Sequence, residues 1–221
     1  MGHCCNHAQE FENNHLKIHW DDVYTKPSEK LGWYEKESTP TINIFKELEL
    51  PESAHLFVAG AGTSSFVDFL AQNGYYNITV NDISANAIQQ LKSRLQDYQS
   101  QIRYITEDIS NPEKLNNIAP IDFWYDRAVL HFLTEPSEQK TYFDLLKSKI
   151  KPNSYVLLAQ FNKQSAQKCS ALPVHRYDLK EMQEHLGEEF KTINNFDYEY
   201  TMPNGDKRQY IYALFQKAGS K

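Results

Sequence analysis

Cysteine is scarce in this chain: three residues in 221, two of them adjacent at Cys4 and Cys5. Three thiols so placed cannot frame a disulfide scaffold, which points to a reducing, cytoplasmic compartment. Long apolar runs are lacking too, so no membrane span is expected. The opening "MGHCCNHAQEFENN" has no apolar core of the kind a secretory signal carries. Positive charge is in deficit, with 23 Lys and Arg against 29 Asp and Glu and a net charge of −6. That balance argues against a nucleic-acid partner gripped through its phosphates. Repeats, low-complexity tracts and linkers are absent, which suits one domain over 13–221 behind a polar tail at 1–12. The tail admits two sharper readings. Gly2 with Cys4 and Cys5 would suit acylation, although Asn6 stands where Ser or Thr is wanted. His3, Cys4, Cys5 and His7 are thiol and imidazole ligands spaced more tightly than structural zinc pairs. No metal site is expected in the domain itself.

What is present is an alternation of strands and helices. Leu16, Trp20, Val23 and Tyr24 share a face at helical spacing over about 13–26. After the polar loop "KLGWYEKES", Ser38 is placed to cap a helix with Pro40 in its first turn. "AHLFVAG" is a short apolar run closed by glycine and reads as a buried strand. "SSFVDFLAQNG" follows as a helix stopped by Gly74. "NITVND", "QIRYITED", "IDFWYDRAVL" and "SYVLLAQF" are further strands. "SANAIQQLKSRLQDY", capped by Ser84, and "SEQKTYFDLLKSKI" are helices between them. A long polar segment, 162–177, precedes a helix at about 179–186. "FKTINNFDYEYT" and "KRQYIYALFQK" are joined through Asn204-Gly205, a hairpin signal. The expected architecture is α/β: a Rossmann-like, doubly wound, mostly parallel seven-stranded sheet ending in an antiparallel hairpin, with N-terminal helices as a lid.

Ligands of such sheets bind at the carboxyl ends of the strands. The first strand ends in "VAGAGTSS", where Gly60, Ala61 and Gly62 let the backbone turn and approach a ligand. Asp82 closes the second strand about 22 residues after Gly60, near the spacing of a ribose-binding carboxylate. Asp108 closes the third and could accept the exocyclic amine of adenine. Each acid could equally serve a turn or a helix cap. Two of them on consecutive strand ends after G-x-G favour an adenosine site that also takes in Ile83 and Ile109.

The order "VAGAGTS … NDIS … TEDIS … YDRAVLHFL" resembles class I S-adenosylmethionine-dependent methyltransferases over roughly residues 15 to 217. Within them it is similar to a subgroup with a tryptophan–tyrosine helix, here "HWDDVY", and an "SWY"-like loop, here "LGWYE". That subgroup also shows "HDRAVFHFLT"-like and "KCSGLPVVRYS"-like segments, matched by "YDRAVLHFLT" and "KCSALPVHRYD". The resemblance implies S-adenosyl-L-methionine as cofactor. Two positions depart from it. Val58 stands where an acid two residues before the first glycine usually helps to hold the cofactor's amino-acid end. Tyr125 stands where His precedes Asp126.

Methyl transfer from a sulfonium needs positioning above all, and a base only for a protonated nucleophile. His131, Arg127 and Tyr177 are the candidates for catalysis. His131 is equally a buried cap or filler at the end of a strand. Asp126 is expected beside the cofactor, on the rim of the crevice with Arg127. Arg127, Cys169, His175 and Arg176 are candidates for substrate contacts, Arg suiting a carboxylate or phosphate. Trp20, Tyr24, Trp33 and Tyr34 would form an aromatic lid whose faces favour a sulfonium, or would simply pack. The leading expectation is a methyltransferase with a small-molecule acceptor. The alternatives are a protein lysine methyltransferase, a non-catalytic nucleotide-binding module and an NAD-dependent oxidoreductase.

Overall fold

The computed structural model describes residues 15–219; the tail with its acylation and metal-binding readings lies outside them. Five strands run parallel: β1 (Leu56–Ala59), β2 (Ile78–Asp82), β3 (Ile102–Thr106), β4 (Ile121–Arg127) and β5 (Ile150–Phe161). Two long strands follow: β9 (Lys207–Lys217) adds antiparallel to β5, and β8 (Phe190–Thr201) pairs antiparallel with β9 at the sheet edge. The sheet order is β3-β2-β1-β4-β5-β9-β8. The chain therefore reverses its direction of travel between β1 and β4, and a crevice opens there at the strand ends.

Side chains alternate between the faces, and both faces are covered. Val58, Tyr125, Leu157 and Tyr212 pack on one side against α2 (Thr39–Glu47) and α3 (Ser65–Gln72) through Phe45, Phe66 and Leu70. Phe57, Trp124, Leu158 and Phe215 face the other way, against Tyr142 and Phe143 of α5 (Pro136–Lys149) and Met182 of α6 (Leu179–Leu186). Burying each such aromatic or aliphatic side chain contributes about 1.5–3 kcal/mol. α4 (Ala85–Arg94) begins on Ser84, whose hydroxyl accepts from the Ala87 amide as its spacing predicts.

The N-terminal helix, α1 (15–23), is bolted across the start of α4. Asp21 accepts from the Ser84 hydroxyl at 2.7 Å and the Asn86 amide at 3.2 Å. His19 and Ser170 meet at 3.2 Å, joining the same helix to a small hairpin of β6 (Lys168–Cys169) and β7 (Leu172–Pro173). That hairpin organises the segment 162–177.

Three expectations shift. Ser38 occupies the cap position of α2 without capping it, and its hydroxyl lies 3.2 Å from that of Ser65. β5 starts at Ile150, ahead of the expected Ser154, with Asn153 at φ 62. α4 stops at Arg94, and 96–101 tightens into a 3₁₀ turn.

Candidate functional site

The turn after β1 is shaped by two glycines with φ of 51 each. A Cβ on Gly60 would collide with Val129, and one on Gly62 with the Tyr24 hydroxyl. Left-handed backbone and close approach together leave glycine as the residue that fits. Asp82 holds this turn from the neighbouring strand: its carboxylate accepts from the Gly62 and Ser84 amides, both at 2.8 Å. Each oxygen keeps a lone pair for a further donor. Burial raises the Asp82 carboxyl to about 6, despite the amides that favour its charged form. Asp108 accepts from the Ser110 amide and hydroxyl through Oδ1, while its buried Oδ2 has no partner.

Gly60, Asp82 and Asp108 border a cleft of about 790 Å³, its solvent mouth included, with Trp20, Tyr24, Trp33 and Ile83 in its lining. Ile109, Arg127 and Cys169 border it too. The aromatic residues of the N-terminal segment thus both pack and line. Trp20 meets Phe132 at 4.9 Å and Trp33 at 5.6 Å between ring centres. A second hollow of about 510 Å³ lies on the other side of Gly60 and is lined by Tyr34, Glu35, Val58, Ala61 and Arg127 among others.

Arg127 stands between the two. Its Nη1 donates to the Trp33 carbonyl at 3.0 Å, and its carbon centre lies 5.0 Å from the rings of Tyr200 and Tyr210. Nη2 lies 3.1 Å from Glu35 Oε1, an ion contact without the angle of a hydrogen bond. Nε and Nη2 of Arg127 and Oε2 of Glu35 are buried with hydrogen-bonding capacity to spare. Glu35 was not singled out by the sequence, where "WYEKES" offers two acids in a polar loop.

Of the other expected site residues, Asp126, His131, Tyr177, His175 and Arg176 lie away from the cleft, and Cys169 borders it. Asp126 is not a rim residue. It points to the Trp124 face and is fully buried, accepting from the Tyr142 hydroxyl at 2.6 Å and Gln160 at 2.7 Å. It also accepts from the Val129 amide at 3.0 Å and the Leu130 amide at 3.1 Å. Ala128, at φ 66, turns the chain back so that these amides reach it. Burial lifts the Asp126 carboxyl to about 6. His131 is likewise fully buried, its Nε2 without a partner; burial, then the nearby Arg127 charge, push it down to about 3. His131 does not line the cleft, and an imidazole held so low is a weak base. Tyr177 is buried with its hydroxyl unpartnered and its ionisation pushed up by burial. His175 bonds Glu181, and Arg176 donates to the Lys163 and Ser165 carbonyls at 2.7 and 3.2 Å. These two brace the loop before α6 and do not line the cleft. Cys169 lines it as a thiol, its ionisation pushed up to about 11 by burial. Among the described residues no group of three His, Cys, Asp or Glu side chains could hold a metal ion.

Residues 58–153 match a family model described as a methyltransferase domain. No curated protein matches the sequence. Among solved structures, a SAM-dependent methyltransferase of Anabaena variabilis superposes with a TM-score of 0.75 at 12% identity, over 93% of this chain and 94% of that one. The 1,6-didemethyltoxoflavin-N1-methyltransferase of Burkholderia thailandensis, solved with 1,6-didemethyltoxoflavin and S-adenosylhomocysteine, gives 0.67 at 16% identity over 99% and 92%. Magnesium protoporphyrin IX methyltransferase of Synechocystis PCC 6803, solved with SAM, gives 0.67 at 14% over 93% and 97%. At these identities the structural likeness establishes the fold.

Proposed function

We propose that this S-adenosylmethionine-dependent methyltransferase delivers its methyl group to a small molecule. The cofactor fits the residues present. Asp108 offers a buried, unpartnered carboxylate oxygen for an adenine amine, and Asp82 a carboxylate for ribose hydroxyls. The turn at Gly60–Gly62 leaves room for a ligand's closest approach. Glu35 and Arg127, of opposite charge and each with unused capacity, suit the ammonium and carboxylate of the methionine end. Glu35 would thereby supply the acid that Val58 lacks. When bound, S-adenosylmethionine supplies an activated methyl group on a sulfonium.

What this chain contributes to the reaction is position and exclusion of water. Trp20, Trp33 and Phe132 cover the cleft with apolar rings. No step is assigned to His131 or Tyr177, and Cys169 stays protonated near neutrality. The observation that carries the small-acceptor reading is a third hollow, about 800 Å³ with its mouth, which shares Trp33 and Cys169 with the cofactor cleft. Without its open mouth the hollow measures about 290 Å³, at the small end of small-ligand pockets. No helix among the described residues is long and apolar enough to cross a membrane; the scarcity of cysteine is what favours a reducing, cytoplasmic setting.

Incubation of a cell extract with enzyme and methyl-labelled cofactor tests this. Label is expected to pass an ultrafiltration membrane with the small molecules. Label retained on protein would favour a protein acceptor. Calorimetry is expected to show binding of S-adenosylmethionine and its demethylated product and none of NAD; the opposite would overturn the reading.

A further inference from the structure

The charged residues that line the third hollow are all of one sign. Lys26, Lys30, Lys168 and Arg208 line it, and no Asp or Glu does. This happens in a chain of net charge −6. The three lysines have no acidic partner among the described residues. Arg208 is mostly buried, with an outlying contact of 3.8 Å to the exposed Asp206. The four come from separate places: two from the loop after α1, one from β6 and one from β9. The fold, and no single basic stretch, brings them together. Of the four, Arg208 acts at the junction with the cofactor cleft, where it and Arg127 both favour the thiolate of Cys169 against its burial.

Like charges crowded round a concavity repel unless an anion answers them, and low-dielectric walls focus their field into the opening. Here the walls are Phe161, Tyr210 and Trp33. We infer that the methyl acceptor is a small anion, a carboxylate or phosphate on an apolar or aromatic body, whose charged group lies among Lys26, Lys30, Lys168 and Arg208. The inference rests on the methyltransferase reading, because the shared Trp33 and Cys169 make this hollow the approach to the cofactor. It also separates the acceptor classes: a lysine side chain of a protein would bring a cation into a cationic mouth.

The probes are four ligands of similar shape, phenyl phosphate, phenylacetate, benzyl alcohol and benzylamine, titrated calorimetrically into protein first saturated with S-adenosylhomocysteine. One or both anions should bind at least about tenfold more tightly than the alcohol and the amine. Which anion binds better tells phosphate from carboxylate. The double variant Lys30→Glu, Arg208→Glu should lose that preference while keeping its S-adenosylhomocysteine affinity. Equal binding of the alcohol or amine, no binding of any probe, or an unchanged preference in the double variant would each overturn the inference. Failure of the first saturation step would instead strike the cofactor reading on which it stands.

Discussion

Asp82 and Asp126 invite comparison, as buried acids at the ends of parallel strands whose carboxyls burial lifts to about 6. Asp82 closes β2 and borders the cleft, with amides on each oxygen and room for further donors. Asp126, at the end of β4, has turned behind the cleft, where two side chains and two amides take up both its oxygens. Equal burial and equal perturbation thus leave one carboxylate open to the cleft and the other closed within the scaffold. What separates them is which polar groups face the carboxylate, because a fully engaged acceptor has nothing left to offer.

The largest expected effect breaks the pair apart. Asp126→Ala would strand the Tyr142 hydroxyl, the Gln160 amide and two backbone amides, costing about 3 kcal/mol of stability in a urea melt. Asp82→Ala should lower S-adenosylhomocysteine affinity by about 100-fold in calorimetry, as expected for charge-assisted bonds. If the affinity loss followed Asp126 and not Asp82, the comparison would fail. Next comes pH. In the proposed binding mode ribose hydroxyls donate to the ionised Asp82, so cofactor affinity should be full above its carboxyl's value of about 6 and fall as pH drops through it. Below that value the decline should approach about tenfold per pH unit, and Asp82→Asn should flatten it. Smallest is His131→Phe, which keeps a planar ring in an apolar site. Methyl transfer should stay within about threefold and stability within about 1.5 kcal/mol. A hundredfold loss of kcat in a folded variant would restore a catalytic histidine.

Strand parity explains much of what could be read in advance and what could not. In "FWYDR" alternate residues face opposite sides, so Trp124 and Asp126 share one face, and Tyr125 and Arg127 the other. The pattern contained that division, and placing both polar residues on one rim overlooked it. The left-handed turn at Ala128, which folds amides back onto Asp126, carries no sequence mark, since alanine seldom adopts that backbone. Glycine turns and strand-end acids were legible because their demands are local: a φ that favours glycine, and a carboxylate at a fixed distance along the chain. His175 and Arg176 were attractive as polar residues in a long loop, yet their bonds close on Glu181, Lys163 and Ser165.

By itself the sequence determined the alternation of strands and helices, the closing hairpin and the glycine turn after β1, because hydrophobic period, glycine and caps act over a few residues. Only the tertiary structure decided that Glu35 would face Arg127, that His131 would be fully buried, and that cations from three separate segments would ring one hollow. Those outcomes depend on which distant surfaces meet, and burial and charge take their meaning from that meeting.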